Sequence, residues 1–573
     1  MYIVGINCLG PNTSACLLDD GRLVAMAEQE RFSRIKTAPH AMPVGSIRYC
    51  LEAAGISLGD VTAIALGWDL DLFPDAYRKG AIERFPAMTR RDHLVTDQNC
   101  LLYDPHRVRD ELRFALRASG VDEPVPEIIG VPHHRCHAAS TFFASDLDEA
   151  LIVAVDASGE LNATTLWHGS GNEIRPLQNW DIPQSLGWFY ASITEFLGFR
   201  AYSGEGKVMG LAPYGQGDEE IREKLHKFLW VTASGYEMDP TFIYFGPHAH
   251  RARFTDKLVE LLGDPHNPRN PEYTPRELNV AYEAQRLLEE AVAQVARVGF
   301  SEVETRNLTV SGGVAMNCKM NGALARLPEV DRFFVFPGAN DAGVGFGAAL
   351  CVYQQMGGDP RSSGFRDAYL GPEFKNGEIR SLLDELQVSY EEPASIEDAT
   401  ADLLADGKFV GWHQGRMEFG ARALGNRSIL ADPSRLDAKD RLNAQVKRRE
   451  AFRPFCPSML REEAEHWVKD VTDAAYMMVA FEAKPQMAQR APAVVHVDGT
   501  IRPQLVDGPE NPRYRSLIEA LRDRTGLPIV LNTSFNVRGE PIVCTPLDSV
   551  RCYFSTGLDA LALGDFLLTK RSE

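Results

Sequence analysis

The chain of 573 residues lacks the features that mark several protein classes. Its ten cysteines are scattered without a Cys-x-x-Cys pair, so we expect reduced thiols rather than a disulfide scaffold. Lys and Arg number 60 against 79 Asp and Glu, and the formal net charge of −19 argues against nucleic-acid or anionic-membrane partners. No apolar run approaches a membrane span, and the first residues lack a basic signal-peptide start, which favours a cytoplasmic protein.

The length exceeds what one ordinary hydrophobic core accommodates, so we expect two or more domains. Residues 357–374 are rich in Gly, Pro and Ser and are the best candidate for a linker between them. The sequence therefore predicts one domain over residues 1–356 and another over residues 375–573.

A pattern of strands and tight polar loops occurs twice in the first domain. Strand-like runs are followed by hairpin signals near the N-terminus, with Asp-Gly between two apolar runs at residues 19–22. The same pattern recurs from residue 150, where a buried-strand run precedes a second predicted hairpin over residues 163–174. We therefore predict an α/β fold with a duplicated unit, the layout of the actin-like ATPase folds, in which two such halves clasp a nucleotide.

The most informative motif is His133-His-Arg-Cys-His137, which leads into a predicted helix. Positions i and i+4 share a helix face, so both histidines can bind one ion, although two partly exposed histidines would give the same pattern. Asp341 follows a predicted strand, where it either caps a helix or completes a His-His-Asp set suited to a catalytic metal. Asp156 also ends a predicted strand, and its Asp-x-x-Gly159 loop either admits a phosphate or metal or is a simple turn.

Two glycine-rich segments of the first domain are candidate ligand contacts. Ser311-Gly-Gly313 lies between a predicted strand and a helix that includes Asn317, and such a turn allows close backbone approach to an anion. Residues 203–215, which include Lys207, lack the spacing and the Ser or Thr of a Walker A sequence. We interpret this second segment as the wall of a cleft.

The second domain contains a local excess of positive charge. Residues 416–461 include eleven Lys and Arg but five Asp and Glu, which favours capture of a small anion such as phosphate; a solvated basic helix is the alternative. Arg416 and Arg422 follow one predicted strand, and Asn532 and Ser534 follow another. Because Arg binds phosphate and Asn and Ser orient carbonyl or amide groups, the predicted ligand has both kinds of group.

Taken in order, these segments resemble the O-carbamoyltransferases of natural-product biosynthesis, including antibiotic biosynthesis, a family with nodulation and aminoglycoside carbamoyltransferases among its members. The resemblance covers nearly the whole chain. The motifs that carry it are Glu30-Arg-Phe-Ser-Arg34, His133-His-Arg-Cys-His137-Ala, Gly206-Lys-Val-Met-Gly-Leu-Ala212, Ser311-Gly-Gly313, Asp341-Ala-Gly343, Gly420-Ala-Arg-Ala-Leu-Gly425, Arg453-Pro-Phe-Cys-Pro-Ser458 and Asn532-Thr-Ser-Phe-Asn536. Each motif is modest alone, but their order is specific.

The resemblance implies a two-step reaction. A C-terminal α+β domain like the threonylcarbamoyl-adenylate synthases would join carbamoyl phosphate to ATP, with Mg, leaving carbamoyl adenylate. An N-terminal domain like the universal tRNA-modification metalloprotein would then transfer the carbamoyl group to a hydroxyl of a small-molecule acceptor. His133, His137 and Asp341 match the family's metal ligands, and iron(II), or another divalent metal, is the expected ion.

The resemblance also assigns roles to individual residues. Asp156, beside the metal, and His137 are expected to act in transfer, whereas Lys447 and Arg449 match the activation site together with Arg502 and Asn532. The full set of expected cofactor-binding residues is Gly159, Lys207, Gly312, Gly313, Asn317, Arg416, Arg422, Arg453, Arg502, Asn532 and Ser534. The oligomeric state stays open.

One departure from the family concerns the first loop. Relatives often carry His-Asp there, whereas this chain has Gly10-Pro-Asn-Thr-Ser14, so neither Pro11 nor Asn12 can serve as the acceptor base. Two other functions use the same domains or fold: a tRNA threonylcarbamoyl transferase, which the acidic balance disfavours, and an actin-like small-molecule kinase. Cleavage of ATP to AMP and pyrophosphate would exclude the kinase.

Overall fold

The computed structural model describes residues 1–72, 104–244 and 253–570, which fold into two compact units. The first unit contains Met1–Ala25 and Pro39–Phe365, and the second contains Met26–Ala38 and Arg366–Glu573. The short segment Met26–Ala38, with helix α1 (Glu30–Ser33), thus belongs to the second unit, although no local sequence pattern indicates it.

The first unit is built on two five-stranded sheets. Its strands are β1 (Tyr2–Asn7), β2 (Ser14–Asp19), β3 (Arg22–Glu28, which continues into the second unit), β4 (Val61–Leu66), β5 (Glu127–Gly130), β6 (Glu149–Val155), β7 (Asn162–Ser170), β8 (Glu173–Asp181), β9 (Leu229–Thr232), β10 (Gly235–Met238), β11 (Asn307–Ser311) and β12 (Arg332–Val335).

The two sheets have the same topology. One has the order β3-β2-β1-β4-β5 and the other, read in the matching direction, has β8-β7-β6-β11-β12. In each, the first strand pairs antiparallel with the strand after it and parallel with a later strand, as β1 does with β2 and β4 and β6 does with β7 and β11. This repeated order confirms the predicted duplication and the actin-like α/β architecture.

The predicted hairpin turn between β2 and β3 forms because its residues tolerate left-handed backbone. Asp20 and Gly21 have φ of 45° and 82°, the values that a tight two-residue hairpin turn requires. Strand β2 is apolar and almost wholly buried, and strand β3 is buried from Ala25 to Glu28. Local turn chemistry and hydrophobic pattern therefore agree here.

Helices surround these sheets. Those of the first unit are α2 (Val44–Ala54), α3 (Pro105–Ala118), α4 (His133–Phe142), α5 (Leu186–Phe196), α6 (Glu205–Leu211), α7 (Glu219–Leu225), α8 (Asp256–Leu262), α9 (Pro275–Phe300), α10 (Cys318–Ala325) and α11 (Val344–Gln355), with 3₁₀ turns at Leu58–Asp60, Ala212–Tyr214, Pro240–Phe242, Gly313–Met316, Asp341–Gly343 and Pro360–Ser363. The long helix α9 starts at a capping box of Thr274 and Glu277 with Pro275 as its first residue.

The structure defines two features of this unit that the sequence left open. The segment over residues 203–215, interpreted as the wall of a cleft, contains helix α6 followed by a 3₁₀ turn, because its glycines alternate with good helix formers. Asp341 does not cap the following helix; the Asn340 side chain accepts the Ala342 N–H instead. The Asp341 carboxylate is therefore available for other contacts.

The second unit has a seven-stranded mixed sheet in the order β18-β15-β19-β14-β13-β20-β21 and a small two-stranded sheet of β16 and β17. Its strands are β13 (Val410–His413), β14 (Arg427–Ala431), β15 (Cys456–Leu460), β16 (Phe481–Glu482), β17 (Thr500–Ile501), β18 (Gln504–Val506), β19 (Ile529–Ser534), β20 (Ala560–Leu563) and β21 (Phe566–Thr569). Its further helices are α12 (Asn376–Glu385), α13 (Ile396–Ala405), α14 (Ala438–Leu442), α15 (Ala464–Trp467), α16 (Pro485–Arg490), α17 (Pro512–Thr525) and α18 (Pro546–Phe554), with a π-helical turn at Asn443–Lys447 and 3₁₀ turns at Arg461–Glu463 and Pro492–Val494.

The core of this unit forms where α13 and α17 cover one face of the large sheet. Trp412, Tyr514 and Val530 are fully buried there with the apolar side chains of both helices. Burial of this kind contributes about 25 cal/mol per Å² of apolar surface, so it stabilises the packing of the two helices on the sheet. In the described ranges of both units, no helix is long and apolar enough to cross a bilayer.

Candidate metal centre and cation cluster

Four side chains of the first unit converge on one point. His133 and His137 lie on helix α4, Asp156 follows strand β6, and Asp341 follows strand β12; all four are buried. Their donor atoms lie within 4.8 Å of one another. The structure thus places Asp156 with the three predicted ligands instead of merely near them.

The distances suit a single metal ion. The two histidine Nε2 atoms are 3.2 Å apart, and the nearest Asp156 oxygen, Oδ2, is 3.3 Å from His133 and 3.2 Å from His137. The Asp341 Oδ1 atom is 3.9 Å from both rings. Metal bonds of about 2.0–2.2 Å separate neighbouring ligand atoms by roughly 3–4 Å, so these residues fit a divalent ion.

His133 is held by three contacts, two on its ring and one on its backbone. Its Nδ1 is 2.9 Å from the Gly67 carbonyl, to which it donates, leaving Nε2 to face the cluster. Trp68 stacks on the ring with centroids 4.0 Å apart, and the Glu160 carboxylate accepts the His133 backbone N–H at 3.1 Å. These contacts fix the ring orientation before any ion binds.

Asp156 is oriented by backbone amides at the carboxyl ends of adjacent parallel strands. Its Oδ1 accepts N–H bonds from Ala157 at 2.8 Å and from Gly313 at 3.1 Å, which leaves Oδ2 to face the histidines. Gly312 has φ of 91°, and a β-carbon there would lie 2.1 Å from the Val155 carbonyl oxygen. The packing that orients Asp156 therefore requires glycine at position 312, next to the Gly313 N–H that Asp156 accepts.

Charges within the centre shift the pKa values of its members. Burial alone would lower the pKa of His133, but its hydrogen bond to Asp156 and the nearby carboxylates raise it to about 9. Burial and the Asp156 charge raise the pKa of Asp341 to about 7. Burial favours neutral Asp156, yet the two histidines hold its pKa well below the usual range. Two carboxylates and two histidines therefore share protons that a divalent cation would displace.

The remaining predicted residues of the first unit have structural contacts. A β-carbon on Gly159 would lie 2.8 Å from the His133 β-carbon, so this glycine permits the close approach of helix α4. Asn317 caps helix α10 and exchanges hydrogen bonds with Gln285. Lys207 lies on α6 with its amine 5.2 Å from the Phe199 ring centroid. Their predicted cofactor contacts stay predictions.

A second polar centre lies in the second unit around Lys447. This buried amine donates to the Ser534 carbonyl at 2.5 Å, the Asn536 carbonyl at 3.1 Å and the Asn536 Oδ1 atom at 2.8 Å. Burial, reinforced by the charge of Arg449, holds the pKa of Lys447 well below its usual range. In the contacts that the structure describes, Lys447 meets neutral oxygens and no carboxylate.

Arg449 and Arg453 lie near Lys447, and Arg502 lies near these two arginines. Arg449 donates to Asn443 at 2.8 Å, and burial with the charge of Arg453 lowers its pKa to about 9. Burial also lowers the pKa of Arg453, and the charge of Arg502 adds to that effect. Arg502 donates to the Cys456 sulfur at 3.0 Å and 3.2 Å. We call Lys447, Arg449, Arg453 and Arg502 the cation cluster.

Glu450 is the carboxylate ion-paired with the cation cluster, and it lies 3.8 Å from Arg453. Its charge opposes the lowered pKa values of Arg449 and Arg453 but does not restore them. Mutual repulsion in a buried site is costly unless an anion is present. The cluster therefore has the charge and the burial that a phosphate site requires.

Of the other predicted residues of the second unit, one contacts the cation cluster and the others make contacts that support the fold. Ser534 contacts Lys447 directly, with its hydroxyl 3.2 Å from the amine. Asn532 lies within β19, not in a turn, and donates to the Ala423 carbonyl and the Ser458 hydroxyl. Arg416 donates to the Leu370 carbonyl at 2.8 Å, and Arg422 is half-buried in the loop between β13 and β14.

Several structural contributors were not predicted. Glu160 holds both His133 and the Asp69 N–H, and Glu418 accepts three backbone N–H groups that shape the loop before β14. Asn536 lies in the motif Asn532-Thr-Ser-Phe-Asn536, where the crowding of amide side chains is a sequence signal for a polar site. No sequence pattern marks Glu418, because the backbone N–H groups that it accepts come together only when the loop has folded.

Comparison with known proteins identifies both units. The family model "Carbamoyltransferase N-terminus" matches residues 2–350, and "Carbamoyltransferase C-terminus" matches residues 401–570. The uncharacterised protein sll1178 of Synechocystis sp. is 35% identical over 100% of this chain and 97% of its own length. Nodulation protein NolNO of Sinorhizobium fredii is 35% identical over 98% of this chain and 80% of its own length.

A relative named for its activity also matches part of the chain. The 3'-hydroxymethylcephem-O-carbamoyltransferase of Streptomyces clavuligerus is 30% identical over 63% of this chain and 64% of its own length. Among solved structures, component A of the Acidaminococcus fermentans (R)-2-hydroxyglutaryl-CoA dehydratase covers 62% of this chain and 99% of its own, at 14% identity and a TM-score of 0.33. HypF of T. kodakarensis covers 62% of this chain and 48% of its own, at 15% identity and a TM-score of 0.29.

Likenesses of this size to solved structures do not define the fold, which rests on the strand order described above. The two family models together span most of the chain, and the relatives with near full-length coverage agree with them. The chain therefore belongs to the carbamoyltransferase family and is a transferase enzyme.

Proposed function

We propose that this protein is an ATP-dependent O-carbamoyltransferase that works in two steps. The cation cluster supports formation of carbamoyl adenylate from carbamoyl phosphate and ATP, and the metal centre supports transfer to a hydroxyl. The observation that carries the proposal is the presence of two buried polar centres of different chemistry, a histidine–aspartate cluster in the first unit and the cation cluster in the second. A single anionic substrate site would not explain both.

In the activation step, one carbamoyl phosphate, one ATP and one water would give carbamoyl adenylate, phosphate and pyrophosphate. The reactants carry several negative charges on phosphate oxygens, with Mg supplying part of the compensation. Lys447, Arg449, Arg453 and Arg502 would bind these oxygens by charge-assisted hydrogen bonds, which relieve the repulsion among the cations. Ser534 and Asn536 already point oxygens at Lys447 and keep the amine in position.

In the transfer step, the acceptor oxygen would bond to the carbamoyl carbon while the carbon–oxygen bond to AMP breaks. His133, His137, Asp156 and Asp341 would hold the divalent metal, proposed as iron(II). When bound, such an ion supplies Lewis-acid polarisation of an oxygen at the reacting centre. Glu160 and Gly313 keep the ligands of this chain oriented.

The acceptor is proposed to be a small hydroxylated molecule that enters beside the loop at residues 9–14. A β-carbon built on Gly10 would lie 3.6 Å from Asp341 Oδ2 and 3.9 Å from Trp68, so this loop borders the metal centre. Leu9 and Asn12 have positive φ values of 74° and 57°, which is strain of the kind often kept at functional sites. Asn12→Ala should mainly change the KM for the acceptor.

The experiment measures pyrophosphate release without acceptor and carbamoylation with acceptor. Purified protein with ATP and carbamoyl phosphate should release pyrophosphate, and labelled carbamoyl phosphate should label hydroxylated acceptors in a screen. His137→Ala should retain pyrophosphate release and lose labelling, whereas Arg449→Ala should lose release. Equal loss of pyrophosphate release in both variants would contradict the division of labour between the units.

A further inference from the structure

The thiol of Cys456 lies against Arg502 in the cation cluster. Arg502 donates to the Cys456 sulfur through two nitrogens, Nη2 at 3.0 Å and Nε at 3.2 Å. Cys456 is the first residue of strand β15 and is 5% exposed. One buried sulfur atom therefore holds the Nε–Nη2 edge of this guanidinium.

Holding one edge of a guanidinium restricts where its other edge points. The group is planar, and its five N–H donors lie in fixed directions within that plane. Two of the Arg502 donors meet the same sulfur, so a rotation of this side chain away from the cation cluster would break both hydrogen bonds together. The contact with Cys456 therefore selects one placement of the Arg502 charge.

The fold fixes the position of the Cys456 sulfur. Strand β15 pairs antiparallel with β19, which places Cys456 opposite Asn532. The Cys456 side chain also belongs to a small apolar cluster with Ala368, Leu424 and Met477. Backbone pairing and apolar packing therefore hold the sulfur in place before any ligand binds.

Arg502 needs such an anchor because other arginines repel it. Burial is the main cause of the lowered pKa values of Arg449 and Arg453, and the charge of Arg502 adds to it in both. The three guanidinium groups are therefore close enough for their charges to act on one another. Like charges at short range repel, so Arg502 without its anchor would favour side-chain conformations that turn away from the other two.

The chemical nature of the anchor matters for a phosphate site. Arg449 donates to the Asn443 side-chain oxygen at 2.8 Å and to the Pro454 carbonyl at 3.2 Å, and these acceptors orient it without cancelling its charge. The thiol of Cys456 has the corresponding part for Arg502. A carboxylate at position 456 would hold the guanidinium equally well but would compete with the phosphate for its charge.

We propose that Cys456 is a positioning residue for adenylate formation, which acts by holding the Arg502 guanidinium toward phosphates bound at the cation cluster. This inference rests on the proposed function, since it adds a residue to the proposed activation site. Cys456 makes no bond to substrate in this account and acts only through Arg502. Its contribution is to keep one cation oriented against the repulsion of its neighbours, so that the site is ordered before the phosphates arrive.

The test measures binding of inorganic pyrophosphate, a product of the proposed activation step, to the full-length protein by calorimetry with Mg. Cys456→Ala should raise the Kd for pyrophosphate by about 2- to 13-fold, the range that corresponds to the loss of an ordinary hydrogen bond. Cys456→Ser should restore the Kd to within about 2-fold of native, because a hydroxyl oxygen also accepts N–H bonds. The control is Cys544→Ala, which truncates another buried thiol of the second unit and should keep the native Kd.

A double-variant cycle separates positioning from packing. In an Arg502→Met background, Cys456→Ala should leave the Kd for pyrophosphate unchanged, because the sulfur then has no guanidinium to hold. A role in packing alone would raise the Kd by the same factor with and without Arg502. Native affinity in Cys456→Ala, an equal rise in Cys544→Ala, or a full further rise in the Arg502→Met background would overturn the assignment.

Pyrophosphate release from ATP and carbamoyl phosphate distinguishes failure of this inference from failure of the proposed function. With both correct, Cys456→Ala raises the KM for at least one of the two substrates, and Cys456→Ser reverses that rise. The expected changes in Kd in a protein that never releases pyrophosphate would keep the positioning role and reject the activation step. Native KM values and native Kd in Cys456→Ala, with normal release, would reject the positioning role and leave the activation step intact.

Discussion

Replacing Lys447 with methionine removes one buried charge while nearly preserving side-chain length. In the native structure the amine contacts oxygens of Ser534 and Asn536 at 2.5–3.2 Å, and Arg449 repels it. Loss of one charge-assisted hydrogen bond to phosphate costs about 1.5–3 kcal/mol, which is roughly a 10- to 150-fold fall in the rate of adenylate formation. Pyrophosphate release without acceptor measures that rate.

Although Lys447→Met should impair adenylate formation, it should relieve the destabilisation that the buried lysine causes at neutral pH. The folded pKa of Lys447 lies below its unfolded value of about 10.4. Lys447 therefore destabilises the folded chain fully below the folded pKa, and this destabilisation shrinks as the pH rises from the folded pKa to the unfolded value. Native protein should therefore gain stability relative to Lys447→Met as pH rises toward that unfolded value. Urea unfolding at several pH values measures the difference.

A matched control distinguishes loss of the site from a general effect of removing a lysine. Lys469 is half exposed and lies 2.8 Å from Glu482, also in the second unit, so Lys469→Met should keep native pyrophosphate release. Full activity in Lys447→Met, or an equal loss in Lys469→Met, would refute the assignment of Lys447 to the phosphate site.

Three further predictions concern the metal centre. His137→Ala should lose bound metal by elemental analysis while His168→Ala, whose ring pairs with Glu149 at 2.7 Å, should keep it; equal metal in both would reject the centre. Because His133, with a pKa of about 9, must lose its proton to bind an ion, metal affinity should fall as pH is lowered below that value, and a pH-independent affinity would contradict this. Gly312→Ala should destabilise the fold by about 1–3 kcal/mol in urea unfolding, since its β-carbon meets a backbone oxygen at φ of 91°, and a neutral change would show that the turn can relax.

Features that depend on short stretches of sequence could be predicted. The Asp-Gly turn between β2 and β3, the i and i+4 histidines of α4 and the strand ends before Asp156 and Asp341 all follow from local pattern and from the place where parallel strands end. Their convergence in one buried cluster follows in turn from the duplicated strand order.

Features that depend on distant partners could not be predicted. Nothing local to Met26–Ala38 indicates that it packs with the second unit, and nothing local to Arg416 indicates that it donates to the Leu370 carbonyl. Asn532 has a strand neighbour, Cys456, whose identity depends on the pairing of β15 with β19. Burial and hydrogen-bond partners of such residues are set by long-range topology, which residue spacing does not encode.

The central claim is that carbamoyl phosphate is activated as an adenylate before transfer. The most direct measurement incubates the protein with labelled carbamoyl phosphate, ATP and hydroxylamine, a nucleophile that captures an activated carbamoyl group without the natural acceptor. We predict labelled hydroxyurea with equal amounts of AMP and pyrophosphate, and none of the three in Lys447→Met above a small fraction of native. Protein-dependent hydroxyurea, above the amount formed in the same mixture without protein, would contradict the account if it appeared with ADP or without ATP.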